Sequence, residues 1–149
     1  MNNLIIFILG IIPLIYFSWK DIQKSQLNNT SILLYGLVAL FLLWTNKQLN
    51  EIGIIILISI INFFLFYELW TIKIIGGADV KLIPFLTIFI CMISEYPIYS
   101  IIIYNLLLML IGCSYSLISK TIIKNKYIPF IPIFSLTYLV NYLFWTIKY

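Results

Sequence analysis

The sequence predicts an all-α integral membrane protein, a bundle of about six transmembrane helices that forms one domain over residues 1–149. Of its residues, 63% are hydrophobic and 9% are charged, whereas about 25% of the residues in a typical soluble domain are charged. The mean hydropathy is +1.09. A water-soluble fold of this length has nowhere to bury so much apolar surface, and a membrane protein is therefore the prediction.

Six apolar stretches approach or reach the length that a helix needs to cross a bilayer, about 17 to 25 residues. The second and fourth are short, so they either extend into the flanking connections or do not span fully. The first stretch lacks a basic region and a small-residue cleavage site, and we interpret it as a span rather than as a removed signal peptide. The predicted spans are residues 3–19, 31–45, 52–72, 80–94, 98–119 and 128–147.

The lysines are distributed unequally between the two ends of the predicted bundle, and the chain has no arginine. Seven lysines fall at the first, third and fifth connections, whereas two fall at the second connection and the C-terminal tail. Cytoplasmic loops carry the excess of positive charge in membrane proteins. We therefore predict a multi-pass protein of the plasma membrane with the odd-numbered connections in the cytoplasm and both termini outside.

Two of the five acidic residues, Asp21 and Asp79, fall at the cytoplasmic end of the predicted bundle. Asp21 follows the first span, and Asp79 opens the fourth. Ionisable residues at membrane depth are costly and are functional candidates by default. Two close carboxyl groups share one proton, so that one acts as a general base and the other as a general acid. A paired-carboxylate ion or proton site of a transporter or assembly subunit is an alternative, and so are two acids that merely end helices.

The remaining acids are weaker candidates. Glu51 and Glu95 fall beside connections at the other end of the bundle, where solvated helix ends are the simplest interpretation. Glu68 lies toward the cytoplasmic end of the third span and either pairs with Lys73 or lines a polar cavity. The chain has no histidine, which excludes serine–histidine and cysteine–histidine catalysis and histidine metal sites.

Two glycines stand immediately before the second aspartate. Gly76 and Gly77 permit backbone angles and close approaches that other residues forbid. They allow an extended substrate or a facing helix to come near the Asp79 carboxyl group, which sits in the first helical turn where the helix dipole favours negative charge. Lys81 either reaches the membrane interface or biases the local potential.

Three segments resemble the type IV prepilin peptidases and the archaeal preflagellin peptidases, which are polytopic aspartic proteases of the Gly-x-Gly-Asp class. GGADVKL, at residues 76–82, resembles their second-aspartate motif and is the most specific match. DIQKSQLNN, at residues 21–29, is similar to their first-aspartate motif, and YIPFIPIFSL, at residues 127–136, is similar to the Pro-Phe-x-Pro stretch that opens their last span. The segments occur in the family's order and together extend over almost the whole chain.

Two positions depart from the motifs. Ala78 stands where the strict Gly-x-Gly-Asp pattern has its second glycine, a change typical of archaeal-type members of the family. Leu27 and Asn28 stand where the first motif has Ile-Pro. The chain also lacks the cysteine-bearing N-terminal extension of the larger, bifunctional bacterial enzymes, so we predict peptidase activity without methyl transfer.

The resemblance implies a membrane aspartic endopeptidase in which Asp21 and Asp79 are the catalytic residues. Its substrate would be the precursor of a type IV pilin-like or archaellin-like protein, from which it would remove a short leader at the cytoplasmic face. Water held between the two aspartates would attack the peptide bond, with no cofactor, no metal and no nucleic acid involved; lipid would be the other partner. The active-site loop would contain Gly76, Gly77, Ala78 and Lys81. Pro129, Phe130 and Pro132 would be structural or substrate-facing.

Overall fold

The computed structural model describes residues 3–24, 27–72, 75–118 and 130–148. These residues form six α-helices and no strand, which confirms the predicted all-α bundle. The helices are α1 (Asn3–Lys24), α2 (Asn29–Asn46), α3 (Leu49–Thr71), α4 (Gly77–Ile93), α5 (Pro97–Ile118) and α6 (Ile131–Lys148).

The outer surface of the bundle is apolar, as expected of a membrane protein. Helices α1, α2, α3 and α5 are long and apolar enough to cross a membrane. Helix α6 is apolar but shorter, and α4 has 17 residues. Large side chains such as Ile12, Phe41 and Leu106 are exposed on the outside of the bundle. Surface of this kind is stable in contact with lipid, since the acyl chains are as apolar as the side chains.

Helix α4, the shortest of the six, lies at the centre of the bundle. It packs against all five other helices, and most of its residues from Asp79 to Ile93 are buried. A helix that is apolar on every side is typically buried on every side, which explains this position. By contrast, α3 makes its main packing contact with α4 alone, so much of its surface faces outward.

The helix boundaries correct one detail of the sequence prediction. The first helix does not end near Trp19 but continues to Lys24, so Asp21 lies within a helix and not in a connection after it. The physical reason is local: residues 20–24 include no glycine or proline, and lysine and glutamine are good helix formers. Helix α2 extends beyond its short predicted span. The predicted start of the sixth span, at residue 128, falls outside the described residues.

A chain of polar side chains joins three helices in the interior. The Asn105 side chain on α5 donates to the Asn62 Oδ1 atom on α3 at 2.9 Å. Asn62 in turn donates to the Thr87 hydroxyl on α4 at 2.9 Å, and that hydroxyl donates to the Ile83 carbonyl at 2.8 Å. Hydrogen bonds of this kind hold membrane helices together where the hydrophobic effect cannot.

Candidate active site

The structure places both predicted catalytic aspartates inside the bundle at one end. Asp21 lies in the last turn of α1 and Asp79 in the first turn of α4. Each residue is only 3% exposed. We call this end, where α1 finishes and α2 and α4 begin, the dyad end. Acidic side chains are rarely buried to this extent in any protein, so these two positions stand out.

The two carboxyl groups act on each other. Helices α1 and α4 are packed together. The negative charge of Asp21 interacts electrostatically with the Asp79 carboxyl group. Burial and a neighbouring like charge both oppose ionisation of a carboxyl group.

Gly76 makes room for the Asp79 carboxyl group. The Gly76 N–H donates to Asp79 Oδ2 at 3.0 Å, which is the return half of a capping box. A Cβ atom added at Gly76 would lie 2.9 Å from that same oxygen. The backbone of Gly76 has φ of −79° and ψ of 153°, angles that any residue adopts. The close approach seen here is between the Gly76 backbone and the Asp79 carboxyl group of the same helical turn, and no special backbone angle is present. The expected approach of a substrate or a facing helix stays a prediction.

Gly77 lies against an aromatic ring that the sequence did not associate with the site. A Cβ atom added at Gly77 would lie 3.4 Å from Trp70 Nε1. Trp70 is the penultimate residue of α3 and is 42% exposed. Ala78, the next residue of the loop, is half-buried and packs against the core. No periodicity or motif indicates the contact with Trp70, because it depends on how α3 and α4 pack.

Lys81 and the first motif meet on the surface at the dyad end. The exposed Lys81 ammonium donates to Asn29 Oδ1 at 3.0 Å. One residue earlier, Asn28 caps α2, since its side chain accepts a hydrogen bond from the Thr30 N–H at 3.1 Å. Asparagine is among the best N-cap residues. The departure from Ile-Pro at this position thus has a structural explanation: the asparagine begins the next helix.

The three glutamates are exposed, unlike the two aspartates. Glu51 pairs with Lys47 at 3.2 Å, and Glu95 is exposed in the connection between α4 and α5. Both agree with the interpretation as solvated helix ends. Glu68 is exposed near the end of α3, while its suggested partner Lys73 lies outside the described residues. Within the described ranges, no three histidine, cysteine, aspartate or glutamate side chains come together to hold a metal ion.

Aromatic rings from α3 and α6 pack in the interior. Phe66 of α3 meets Phe134 of α6 edge-on, with ring centroids 6.2 Å apart. Phe130, just before α6, packs against Phe134 at the same separation. Phe130 therefore has a packing role, and Pro132 lies in the first turn of α6; Pro129 is outside the described residues.

Comparison with known families supports the resemblance seen in the motifs. A model of the type IV leader peptidase family matches residues 8–117, about three quarters of the chain. The matched part contains Asp21, the glycine loop and Asp79, and ends before the proline-containing third segment. Comparisons with curated proteins and with solved structures found no significant match. The chain belongs to the type IV leader peptidase family.

Proposed function

We propose that this protein is a membrane aspartic endopeptidase that removes the leader from type IV pilin-like or archaellin-like precursors. Asp21 and Asp79 are its catalytic residues, and cleavage takes place at the cytoplasmic face of the membrane. The observation that carries the proposal is the burial of two interacting carboxyl groups at one end of the bundle. Membership of a leader peptidase family supports the reaction class.

The dyad supplies both halves of acid–base catalysis. With one proton shared between the carboxyl groups, the ionised group removes a proton from water while the protonated group donates a hydrogen bond to the scissile carbonyl. The water oxygen then bonds to the carbonyl carbon, and the resulting intermediate collapses as the amide nitrogen receives a proton. The C–N bond breaks, leaving a carboxyl group on the leader and an amine on the mature protein. Water is the only co-reactant.

The orientation of the protein rests on its charges. The dyad end coincides with the connections that contain seven of the nine lysines, and lysine-rich connections stay in the cytoplasm. This orientation places the dyad where a leader on the cytoplasmic side of a membrane-anchored precursor can reach it. Cysteine labelling in intact cells tests it: we expect a cysteine in place of Lys47 to react with a membrane-impermeant reagent, and one in place of Lys20 to be protected.

A cleavage assay in membranes tests the activity. The protein is co-expressed with candidate precursors from the same genome, and leader loss is followed by the change in precursor mobility on a gel. Asp21→Asn and Asp79→Asn keep the size of each side chain but remove the acid, while Glu95→Gln makes the same change at an exposed position far from the dyad. We expect cleavage by the wild type and by the Glu95 variant, and none by either aspartate variant.

Two results would overturn the proposal. Full cleavage by Asp21→Asn or Asp79→Asn would refute the two-aspartate mechanism. No cleavage of any precursor by correctly inserted wild-type protein would favour a paired-carboxylate ion or proton site in a transporter or assembly subunit.

A further inference from the structure

Trp70 is the aromatic side chain that borders the glycine loop. Its Nε1 atom lies 3.4 Å from the position that a Cβ atom of Gly77 would take, so the ring covers the start of α4 directly. The ring is 42% exposed. Because Gly77 has no side chain, one surface of the tryptophan stays open beside the loop.

Gly77, which borders Trp70, and Asp79 lie on opposite sides of the first turn of α4. Residues two apart on an α-helix are separated by about 200° around its axis, and Gly77 and Asp79 are two apart. The tryptophan therefore marks the α3 side of this turn, while the Asp79 carboxyl group reaches back over the start of the helix to the Gly76 N–H. A chain that passes over the N-terminus of α4 from one side to the other would contact both.

The distance between these two sides of the helix can be expressed as a number of residues of an extended substrate. A helix with its side chains is about 10–12 Å across, and an extended chain advances about 3.3–3.6 Å per residue. A substrate whose scissile bond lies at the dyad would thus place a residue about three positions away against Trp70.

The surroundings of Trp70 indicate whether the substrate residue that contacts it lies on the leader side or the membrane side of the scissile bond. Along α3, Phe63 packs on Tyr67 with ring centroids 6.0 Å apart, and Tyr67 packs on Trp70 at 5.3 Å. Tyr67 and Trp70 are exposed on a helix whose main packing contact is with α4 alone. This aromatic strip, formed by the half-buried Phe63 and the exposed Tyr67 and Trp70, runs along α3 and ends at the loop. The apolar, membrane-embedded part of a precursor can approach along it, whereas a polar leader cannot.

We propose that Trp70 is a specificity-determining residue that contacts a large apolar side chain about three positions from the scissile bond, on the membrane side. The inference rests on the proposed function and adds to it which part of the precursor is read. A flat, partly exposed ring offers a large contact area with little loss of rotamer freedom, which suits it to an aliphatic or aromatic substrate side chain. The contact holds the substrate while the scissile bond lies at the dyad, and it takes no part in the chemistry.

Paired substitutions in enzyme and precursor test this contact. Precursor variants carry alanine or leucine, one position at a time, at the first six positions on the membrane side of the scissile bond. Each is cleaved by wild type, by Trp70→Ala and by Trp19→Ala. Trp19 is the matched control because it lies at the same end of the bundle, on α1, and is 64% exposed. Trp70→Ala should lower kcat/KM about tenfold for precursors with leucine near the third position, as expected for a lost apolar contact. For precursors with alanine there, the decrease should be less than about twofold.

Photo-crosslinking provides a readout that does not depend on cleavage. Benzoylphenylalanine is introduced at position 70 or position 19 of the inactive Asp79→Asn protein, which is then irradiated with the leucine precursor. We expect a crosslink from position 70 that maps to the second to fourth residues on the membrane side, and little or none from position 19.

The outcomes separate this inference from the proposed function. If wild type cleaves the precursor but Trp70→Ala slows all precursor variants equally, or positions 70 and 19 crosslink alike, Trp70 is an interfacial tryptophan and the specificity proposal is wrong. A crosslink that maps to the leader would also overturn it. If wild type does not cleave at all, the proposed function fails and the specificity role fails with it.

Discussion

The two ends of the bundle both contain acidic residues, yet their environments are opposite. At the dyad end, Asp21 and Asp79 are buried between packed helices. At the other end, which we call the far end, Glu51 forms an ion pair with Lys47 and Glu95 is exposed. These three charged residues line an open cavity of about 260 Å³ together with apolar residues of α3 and α5.

The comparison shows that burial separates the two candidate catalytic acids from the acids of the far end. An exposed carboxylate beside a lysine is solvated and screened, and it ionises with little consequence for the protein. A buried carboxyl group next to another retains a proton or imposes a large electrostatic cost. Burial of this kind at the dyad end suits the proposed exchange of protons with a bound reactant.

Changing the length of an acidic side chain should give the largest contrast in cleavage rate between the two ends. Asp79→Glu keeps the acid but extends it by one methylene, which displaces the carboxyl group from its present position, 3.0 Å from the Gly76 N–H. We expect cleavage to fall by about 100-fold or more, because a displacement of about 1 Å in a catalytic group has an effect of that size. Glu51→Asp makes the reverse change at the far end and should leave cleavage rates in membranes unchanged. Equal effects of the two substitutions would contradict the assignment.

Replacing a glycine by alanine should give a smaller contrast between the two ends, with a steric cause. Gly76→Ala adds a methyl group against Asp79 Oδ2, whereas a Cβ at Gly53, in the first turns of α3, meets nothing within 4 Å. We expect Gly76→Ala to reduce kcat about tenfold by displacing the carboxyl group. Gly53→Ala should keep its activity and gain about 0.5–1 kcal/mol of stability from the better helix former. A fully active Gly76→Ala protein would show that the close approach is incidental.

The helix caps at the two ends should differ by about 1 kcal/mol. Asn28 caps α2 at the dyad end through a 3.1 Å hydrogen bond to the Thr30 N–H, whereas Gln48, the N-cap of α3 at the far end, makes no side-chain cap bond. Asn28→Ala should destabilise the protein by about 1 kcal/mol. Gln48→Ala should have almost no effect. Thermal unfolding in detergent measures both, and a comparable loss from the two variants would argue against the capping role.

The smallest expected effect concerns the ion pair at the far end. Lys47→Gln removes the partner of Glu51, whose side chain is 51% exposed, and an ion pair this open to solvent contributes only about 0.5 kcal/mol. Unfolding in detergent at low and high salt should show a small loss that disappears as salt rises. A loss of several kcal/mol would mean that the far end is more enclosed than its exposure indicates.

The sequence by itself determined the class of the protein. Apolar content, span lengths and the absence of histidine need no knowledge of distant contacts, because each depends only on local composition. The apolar content and the span lengths predict the six helices. The two aspartate motifs indicate the family, and each motif is a continuous stretch that can be recognised in the sequence. Both expectations were confirmed by the structure and the family match.

Only the tertiary structure decided how the site is built. The burial of both aspartates depends on which helices meet, whereas the continuation of α1 through Asp21 and the contact of Gly76 with Asp79 are local. The contact between Trp70 and Gly77 joins residues of two helices and has no signature in either. Local preferences determine where the helices form. Packing around the central α4 determines which side chains are buried. That burial distinguishes the two aspartates from the glutamates of the far end.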